Sequence, residues 1–288
     1  MGTDMAAILP VRVAARCHCD RSYGVLRWHR SSVGERGGVA GTVELEELMA
    51  RGWRGTDVEM LGNWQLRAGS GFTGRANSVL PLGSPGCELD DALLRVDRFY
   101  RRHHLPATFQ VPVCDETAYL DSHLTQSGWT VFNSSVVLTA DLQQASAAAP
   151  ALPDGFSASF RRRPTTAWLT GYLYRGSALP GSAAAVLINA EDVIFASLHD
   201  KVGQLAVVRG VLTDCWLGVT ALTVNETRRR GGIGSALMGE LFRWAERQGG
   251  HSVYLQVAAD NTAALALYRR LAFAEHHRYH YRRELASG

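Results

Sequence analysis

A strand, a basic turn that contains glycines and the start of a helix follow one another between residues 222 and 237. The turn is Arg228-Arg229-Arg230-Gly231-Gly232-Ile233-Gly234. Successive backbone N–H groups in such a turn converge on a concavity that binds anions, and glycines allow positive φ and the close approach of a phosphate. The helix N-terminus and the arginines add positive charge. The pattern predicts a pyrophosphate cradle; a basic solvated turn before an ordinary surface helix is the alternative.

A second candidate segment follows further along the chain. A strand-like run, Val253 to Val257, precedes a stretch with helical spacing from Asn261 to Phe273. Asn261 is a suitable N-cap, and Tyr268 lies beside the apolar stripe near the middle of this helix. Two consecutive strand–helix units place the tyrosine hydroxyl near the carboxyl ends of adjacent strands, where open α/β sheets bind ligands. A tyrosine that only packs in the core is the alternative.

Together the two segments resemble signatures of the GNAT (Gcn5-related N-acetyltransferase) superfamily. The turn from Arg229 to Gly234 is similar to the Arg/Gln-x-x-Gly-x-Gly/Ala signature, and Asn261 to Phe273 resembles Asn-x-x-Ala-x-x-Leu-Tyr-x-x-x-Gly-Phe. The resemblance covers residues 155 to 285. It implies an enzyme that transfers an acetyl group from acetyl-CoA to a primary amine of a small molecule or amino acid, by direct attack on the thioester.

The resemblance also implies roles for particular residues. Leu222 would supply a catalytic backbone N–H that polarises the thioester carbonyl, and Tyr268 would be the acid that protonates the departing thiolate. Asn261 would help to hold the cofactor arm, which would run between Ala221–Val224 and Tyr254–Val257. The expected cofactor-binding residues are Leu222, Thr223, Val224, Arg229, Arg230, Gly231, Gly232, Ile233, Gly234, Ser235, Asn261 and Tyr268.

One family feature is missing from this chain. A glutamate often stands about eleven residues before the turn motif as general base, but here that stretch is Trp216-Leu217-Gly218-Val219. Asp214, His199 or a chain of water molecules could accept the proton of the amine instead. Because no base is evident, two other functions stay open: a regulatory protein that binds acetyl-CoA without turnover, and a protein-interaction module.

The first half of the chain repeats the pattern of the second. Helix, strand, helix and Gly-Trp or Ala-Phe recur at a nearly constant offset, which predicts a duplicated domain. We therefore predict an α/β (α+β) fold of two GNAT-like domains in tandem, each with a mixed, mostly antiparallel sheet flanked by helices. The first copy should not turn over: its turn, Gly83 to Glu88, is acidic and lacks arginine, and Leu124 stands in place of the tyrosine. The run Gly71 to Ser78 resembles two-domain actinobacterial N-acetylglutamate-synthase-like proteins.

Composition changes along the chain predict its domain limits. Residues 1–54 are rich in Arg, Gly and Ser and are expected to form an extension of uncertain order, although Val43 to Met49 has helical spacing. Residues 55–142 form the degenerate copy and residues 155–288 the catalytic domain. Between them, residues 143–154 are small, polar and proline-bearing without an apolar face, which predicts a linker.

Overall composition sets the remaining expectations. The 288 residues carry a net charge of +3, and no apolar run is long enough to span a membrane. We predict a cytoplasmic monomer or homodimer that binds neither nucleic acid nor membrane. The five cysteines are scattered, which argues against a disulfide framework. Neither Cys17-His18-Cys19 nor His276, His277 and His280 have partners at metal-ligand spacing, so no metal site is expected.

Overall fold

The computed structural model describes residues 40–284, and it contains the strand expected at Val253 to Val257 and the helix expected after Asn261. The strands are β1 (Asp57–Leu61), β2 (Trp64–Ala68), β3 (Val79–Pro81), β4 (Thr108–Pro112), β5 (Trp129–Asp141), β6 (Ser157–Arg161), β7 (Val193–His199), β8 (Gln204–Thr213), β9 (Trp216–Val224), β10 (Ser252–Ala258) and β11 (Ala274–Glu284). The helices are α1 (Thr42–Gly52), α2 (Leu89–Arg102), α3 (Asp115–Gln126), α4 (Leu142–Ala148), α5 (Thr166–Gly171), α6 (Ala183–Ile188), α7 (Ile233–Arg247) and α8 (Thr262–Arg270).

Within residues 40–284 the eleven strands form one sheet, in the order β1-β2-β3-β4-β11-β5-β10-β9-β8-β7-β6. Neighbouring strands are antiparallel except for β3 with β4 and β9 with β10. The predicted mixed, mostly antiparallel sheet flanked by helices is therefore confirmed. The sheet runs without interruption through both halves of the chain.

The two halves of the chain exchange strands within the sheet. Helix α7 begins 144 residues after α2 (residue 233 against residue 89), and β11 begins 145 residues after β5 (residue 274 against residue 129). The last strand of the first half, β5, lies between β10 and β11, whereas the last strand of the second half, β11, lies between β4 and β5. Each half thus completes the sheet of the other.

Different helices cover the two faces of this sheet. Alternate residues of a strand face opposite sides, and on β10 Val253 and Leu255 pack with α7, whereas Tyr254 packs with α1. Helices α4 and α8 lie on the α7 face, because their apolar residues join the same core cluster. We call the two sides the α7 face and the α1 face.

Part of the predicted linker is a helix. Residues 142–148 form α4, whose start is capped by Asp141 through a 2.9 Å hydrogen bond from the backbone N–H of Gln144. Leu142 and Ala145 are fully buried in the core cluster that contains α7. The expectation of an unpacked segment is corrected here, because two apolar contacts on a seven-residue helix are too few to give a periodic pattern. The domain boundary in this region stays a prediction.

The packed structure also begins earlier than residue 55. Helix α1 buries Leu45, Glu46 and Met49, and Trp53 follows it into the interior. Residues 40–54 are therefore part of the core, and the helical spacing from Val43 to Met49 was the signal for them. The rest of the predicted extension, including Cys17, His18 and Cys19, lies outside the described residues.

Residues 40–284 contain neither a membrane-spanning helix nor a metal-binding cluster. No helix in this range combines the length and the apolar character needed to cross a bilayer. In the same range no group of three His, Cys, Asp or Glu side chains is arranged to hold a metal ion. His276 contacts the backbone carbonyl oxygen of Ala40. His277 and His280 contact the carboxylates of Glu46 and Asp121, respectively.

Candidate active site

Strands β9 and β10 run side by side at first and then separate. Their parallel pairing extends from Trp216 with Ser252 to Val219 with Leu255. Beyond that point residues 220–224 remain paired with β8, and residues 256–258 remain paired with β5. The sheet therefore opens into a wedge between the two strands. The predicted segments for the cofactor arm are Ala221–Val224 and Tyr254–Val257. They lie beside the wedge, although Tyr254 and Leu255 are still paired with β9.

A β-bulge interrupts β9 at the wedge. Thr220 pairs with Arg209 and Thr223 with Val207, so two residues, Ala221 and Leu222, stand opposite the single residue Val208 of β8. Ala221 has a φ of +60°, a left-handed conformation that is unusual for a residue with a Cβ atom. A bulge disrupts the regular ladder of hydrogen bonds and leaves one residue unpaired. The distortion occurs at the position predicted for a catalytic backbone N–H.

The glycine turn lies at the mouth of the wedge and is open to solvent. A short helical turn over Glu226–Arg228, capped by Asn225, leads to Arg230 with a φ of +65° and Gly232 with a φ of +75°. A methyl group added at Gly232 would meet no atom within 4 Å, so no side chain fills the bend. Helix α7 starts at the next residue and directs its N-terminus toward this bend.

The start of α7 lies close to β9, and arginines surround the bend. A Cβ atom at Gly234 would be 3.3 Å from Cγ2 of Val224, so only a small residue allows this approach. Arg228 forms an ion pair with Asp200, and the NH2 group of Arg229 lies 3.3 Å from Oε1 of Glu226. Arg230 makes no ion pair within residues 40–284. Its charge and those of its neighbours give the bend positive potential for an anion.

Helix α8 carries Asn261 and Tyr268 beside the wedge. Oδ1 of Asn261 accepts a hydrogen bond from the backbone N–H of Ala264 at 3.1 Å, which leaves the amide N–H groups available. The ring of Tyr268 is partly buried and packs on Phe273 with 5.8 Å between centroids. Its hydroxyl makes no hydrogen bond to any residue in the described range. Burial raises the pKa of Tyr268 to about 12, so the hydroxyl keeps its proton at neutral pH.

Comparison with known proteins identifies the family. The family described as "Probable histone acetyltransferase Rv0428c C-terminal" matches residues 40–282. The chain belongs to this acetyltransferase family. Among its relatives, the "Uncharacterized N-acetyltransferase YobR" of Bacillus subtilis is 26% identical over 83% of this chain and 97% of its own length. The "Probable histone acetyltransferase Rv0428c" of Mycobacterium tuberculosis is 28% identical over 82% of this chain and 72% of its own length.

Solved structures of GNAT proteins share the fold of this chain. A GCN5-related N-acetyltransferase from Kribbella flavida covers 86% of this chain and 94% of its own, with a TM-score of 0.61 and 15% identity. A tandem GNAT protein from the clavulanic acid biosynthesis pathway covers 67% of this chain and 68% of its own, with a TM-score of 0.54 and 11% identity. At these identities the likeness shows the fold. The GNAT fold that the resemblance implied is thus confirmed.

The GNAT wedge adjoins a cavity of about 690 Å³ that both halves of the chain line. It lies where β10 leaves β9, because Gln256 to Asp260 form one wall. The other walls come from the segment before β3, from the central strands β5 and β11, and from the loop after α5. The side chains that matter for its chemistry belong to Arg75, Asn133, Tyr174, Arg175, Gln256, Asp260, Tyr279, Tyr281 and Arg283.

Sequence reasoning did not predict this cavity. Its floor includes the loop at residues 69–78, in which Asn77 accepts hydrogen bonds from the N–H groups of Gly69 and Gly71 and donates to the carbonyl oxygens of Phe72 and Thr73. These four bonds, each 2.8–2.9 Å long, fix the loop that presents Arg75. In the sequence, the run from Gly71 to Ser78 was a signal for this loop only through its resemblance to other two-domain proteins.

The residues suggested as general base lie elsewhere. Asp214 is exposed in the β8–β9 hairpin, where it pairs with Arg51, at the opposite end of β9 from the bulge. His199 ends β7 with its Nε2 3.0 Å from Oγ of Ser197. Neither residue lines the large cavity. Asp260 is the carboxylate that does.

The equivalent bend of the first half has the opposite charge. It leads into α2, and Glu88, Asp90 and Glu116 line the depression beside it. Leu124, at the position of the tyrosine, is fully buried. Three carboxylates repel a pyrophosphate, and a buried leucine cannot donate a proton.

Proposed function

We propose that this GNAT acetyltransferase uses acetyl-CoA to acetylate a primary amine of a small molecule or amino acid. The observation that carries the proposal is the open glycine bend at the mouth of the wedge between β9 and β10, with Tyr268 on the adjacent helix. This combination provides an anion site, a path for an extended arm and an acid in one place. We expect only the second half to catalyse acetyl transfer, because the equivalent bend of the first half lacks positive charge.

The described residues fit acetyl-CoA. Backbone N–H groups from Arg229 to Ser235 would hold the pyrophosphate, helped by the dipole of α7. Leu222, Thr223 and Val224 would hold the pantetheine arm along the free edge of β9, and the amide of Asn261 would contact it from α8. The open space at Gly232 supports this assignment, since a bend closed by side chains would exclude a phosphate.

Acetyl-CoA, when bound, supplies an acetyl group activated as a thioester. The backbone N–H of Leu222 donates a hydrogen bond to the carbonyl oxygen and stabilises the charge that develops on it. As the acceptor nitrogen bonds to the acetyl carbon, the carbon–sulfur bond breaks. The hydroxyl of Tyr268 donates its proton to the departing sulfur and recovers one from solvent. The proton of the nitrogen leaves through water, because no carboxylate stands at the family's usual base position.

The two substrates would enter from opposite faces of the sheet. Tyr268 and the glycine turn lie on the α7 face, whereas the large cavity borders on Tyr279 and Tyr281, which pack with α1 on the other face. The wedge is the gap between them. We assign the cavity to the acceptor amine, and we assign the first half of the chain the role of completing its walls.

A protein lysine is the second candidate acceptor, because one relative is called a probable histone acetyltransferase. The charge of the cavity argues against a basic tail here. Arg75, Arg175 and Arg283 line it, against the single carboxylate of Asp260. A peptide rich in lysine and arginine would meet like charge, which disfavours its binding.

Thermal unfolding with acetyl-CoA tests the proposal. Acetyl-CoA at about 100 times its Kd stabilises a protein by about 2.7 kcal/mol, which raises Tm by roughly 5–10 °C for a chain of this size. We expect that shift for the wild-type chain and no shift for Gly232→Asp. The aspartate would place a carboxylate in the bend, where it repels phosphate.

Gly249→Asp is the matched control. Gly249 follows the other end of α7, also has a positive φ (+87°), and a Cβ atom there would likewise meet nothing within 4 Å. This variant should keep the full acetyl-CoA shift. A wild-type chain without any shift, or equal shifts in both variants, would remove the glycine bend from the mechanism.

A further inference from the structure

Arg75 lies in the wall of the large cavity and has no acidic partner. Its NH1 group donates a hydrogen bond to Oε1 of Gln256 at 2.5 Å, and its guanidinium lies 4.7 Å from the centroid of the Trp53 ring. No carboxylate in residues 40–284 forms an ion pair with it. A partly buried charge is costly unless an opposite charge or hydrogen bonds compensate it. Among the residues that the structure describes, Arg75 receives only one hydrogen-bond partner and a ring face.

The tyrosines around Arg75 do not neutralise it. The titratable groups that act electrostatically on Arg75 are the hydroxyls of Tyr279, Tyr281, Tyr172 and Tyr174. Burial raises the pKa of Tyr172 to about 12, and it also raises the pKa values of Tyr279 and Tyr281. These three hydroxyls are therefore uncharged at neutral pH. Tyr279 and Tyr281 line the cavity beside Arg75, and the hydroxyl of Tyr279 donates to Oε1 of Gln256 at 3.3 Å.

A second arginine strengthens the positive potential behind the cavity. Arg209 is fully buried, and its guanidinium lies 4.9 Å from the centroid of the same Trp53 ring. It donates to the carbonyl oxygens of Leu187 and Gly52 and lacks a carboxylate partner in the described part of the chain. Burial lowers the pKa of Arg209 to about 9, and the nearby charge of Arg75 acts in the same direction.

Two more arginines stand in the wall of the cavity. Arg175 lies over the ring of Tyr174 at 5.6 Å, and Arg283 lies over Phe132 at 4.7 Å. Both are exposed, and neither has an ion-pair partner among residues 40–284. Their charges would attract an anion toward Arg75. Asp260, the one carboxylate in the wall, is exposed and follows the end of β10.

We propose that Arg75 binds an oxyanion group of the acceptor, so that the acceptor is an amine that also carries a carboxylate or a phosphate. This assignment rests on the proposed function, because it places the acceptor in the large cavity. The free guanidinium N–H groups match two oxygens of either anion. Neutral amines and basic peptides lack the group that would compensate Arg75.

Acetyl transfer to matched acceptors tests the substrate class in the full chain. The panel contains L-amino acids, each with its carboxamide and its decarboxylated amine, together with phosphoethanolamine and ethanolamine. Thiol release at saturating acetyl-CoA gives kcat/KM for each acceptor. The best acidic acceptor should exceed its neutral counterparts by about 10- to 100-fold, which is the usual effect of a hydrogen bond to a charged group. The two acidic arms separate carboxylate from phosphate.

Substitutions of Arg75 assign this preference to one side chain. Arg75→Gln should raise KM for the acidic acceptor by about 10- to 100-fold, leave KM for acetyl-CoA unchanged and erase the preference over the carboxamide. Arg75→Lys keeps the charge without the fork and should fall between the two. Arg95→Gln removes the same charge from an exposed position on α2 and should behave as wild type.

A binding measurement without donor keeps this proposal separate from the proposed function. Calorimetry compares an N-acetyl-L-amino acid with its N-acetyl amide on the chain alone, in wild type and in Arg75→Gln. Tighter binding of the acid only in wild type supports the oxyanion site even if acetyl-CoA gives no thermal shift. The proposal would be overturned by equal use or binding of acidic and neutral ligands, or by a preference for cationic acceptors. It would also be overturned if no acid is turned over or bound, or if Arg75→Gln lowers activity equally for all acceptors.

Discussion

Replacing Tyr268 with phenylalanine should lower kcat by about 100- to 10,000-fold, the usual contribution of a positioned general acid. Affinity for acetyl-CoA should not change, because the ring and its contact with Phe273 remain. The hydroxyl makes no hydrogen bond to another described residue, so its removal leaves no partner unsatisfied. The variant therefore separates proton donation from stability. Single-turnover kinetics together with a Tm measurement would check both.

The pH dependence of kcat in wild type and in Tyr268→Phe tests the same role of Tyr268 independently. Because burial raises the pKa of Tyr268 to about 12, the acid stays protonated across pH 6–10. The ratio of wild-type kcat to that of Tyr268→Phe should be constant over this range. Tyr119→Phe is the control, since Tyr119 is 76% exposed on α3, and it should leave kcat unchanged. A Tyr268→Phe enzyme as fast as wild type would exclude this tyrosine as the acid.

The second large effect should come from Glu46, which is 1% exposed on α1. Its Oε1 lies 3.0 Å from Nε2 of His277 on β11, and its Oε2 accepts a hydrogen bond from Gln110 on β4, also at 3.0 Å. Gln110 in turn accepts from Arg67. Glu46→Ala leaves a buried histidine and a buried amide without their partner. We expect a loss of about 3–5 kcal/mol in the free energy of unfolding.

Urea unfolding measures this loss, with Glu59→Ala as the matched control. Glu59 pairs with Arg102 at 2.7 Å, but both side chains are more than half exposed. An exposed pair contributes at most about 1 kcal/mol. If the two alanine variants lose the same stability, the buried chain from Arg67 to His277 does not hold α1 in place.

The parts of the site that could be predicted from sequence are those made by neighbours in the chain. The glycine turn, the start of α7, and Asn261 and Tyr268 on α8 are local, so spacing and capping preferences located them. The bulge at Ala221 and Leu222 was not predicted, since the resemblance implied only the role of the Leu222 N–H. The apolar period at Val253 to Val257 predicted β10 to within about one residue at each end, whereas α4 was too short to show a period.

The acceptor cavity could not be predicted, because its walls meet through strand exchange. Arg75 and Gln256 are 181 positions apart in the chain and come together only when β5 and β11 exchange places. No local pattern records that exchange. Arg75 also looked like an ordinary basic residue in a glycine-bearing loop. Its lack of a carboxylate partner is a property of three-dimensional packing alone.

Because of the strand exchange, the sheet can be completed only after the last strands have been synthesised. Until residues 252–284 have emerged, both edges of the 13-residue strand β5 and one edge of β4 lack their partners. Unpaired edges of this length invite pairing with other nascent chains. The first half therefore cannot mature as an independent unit during synthesis. For the same reason, neither half of the chain can be removed without leaving the other with an incomplete sheet.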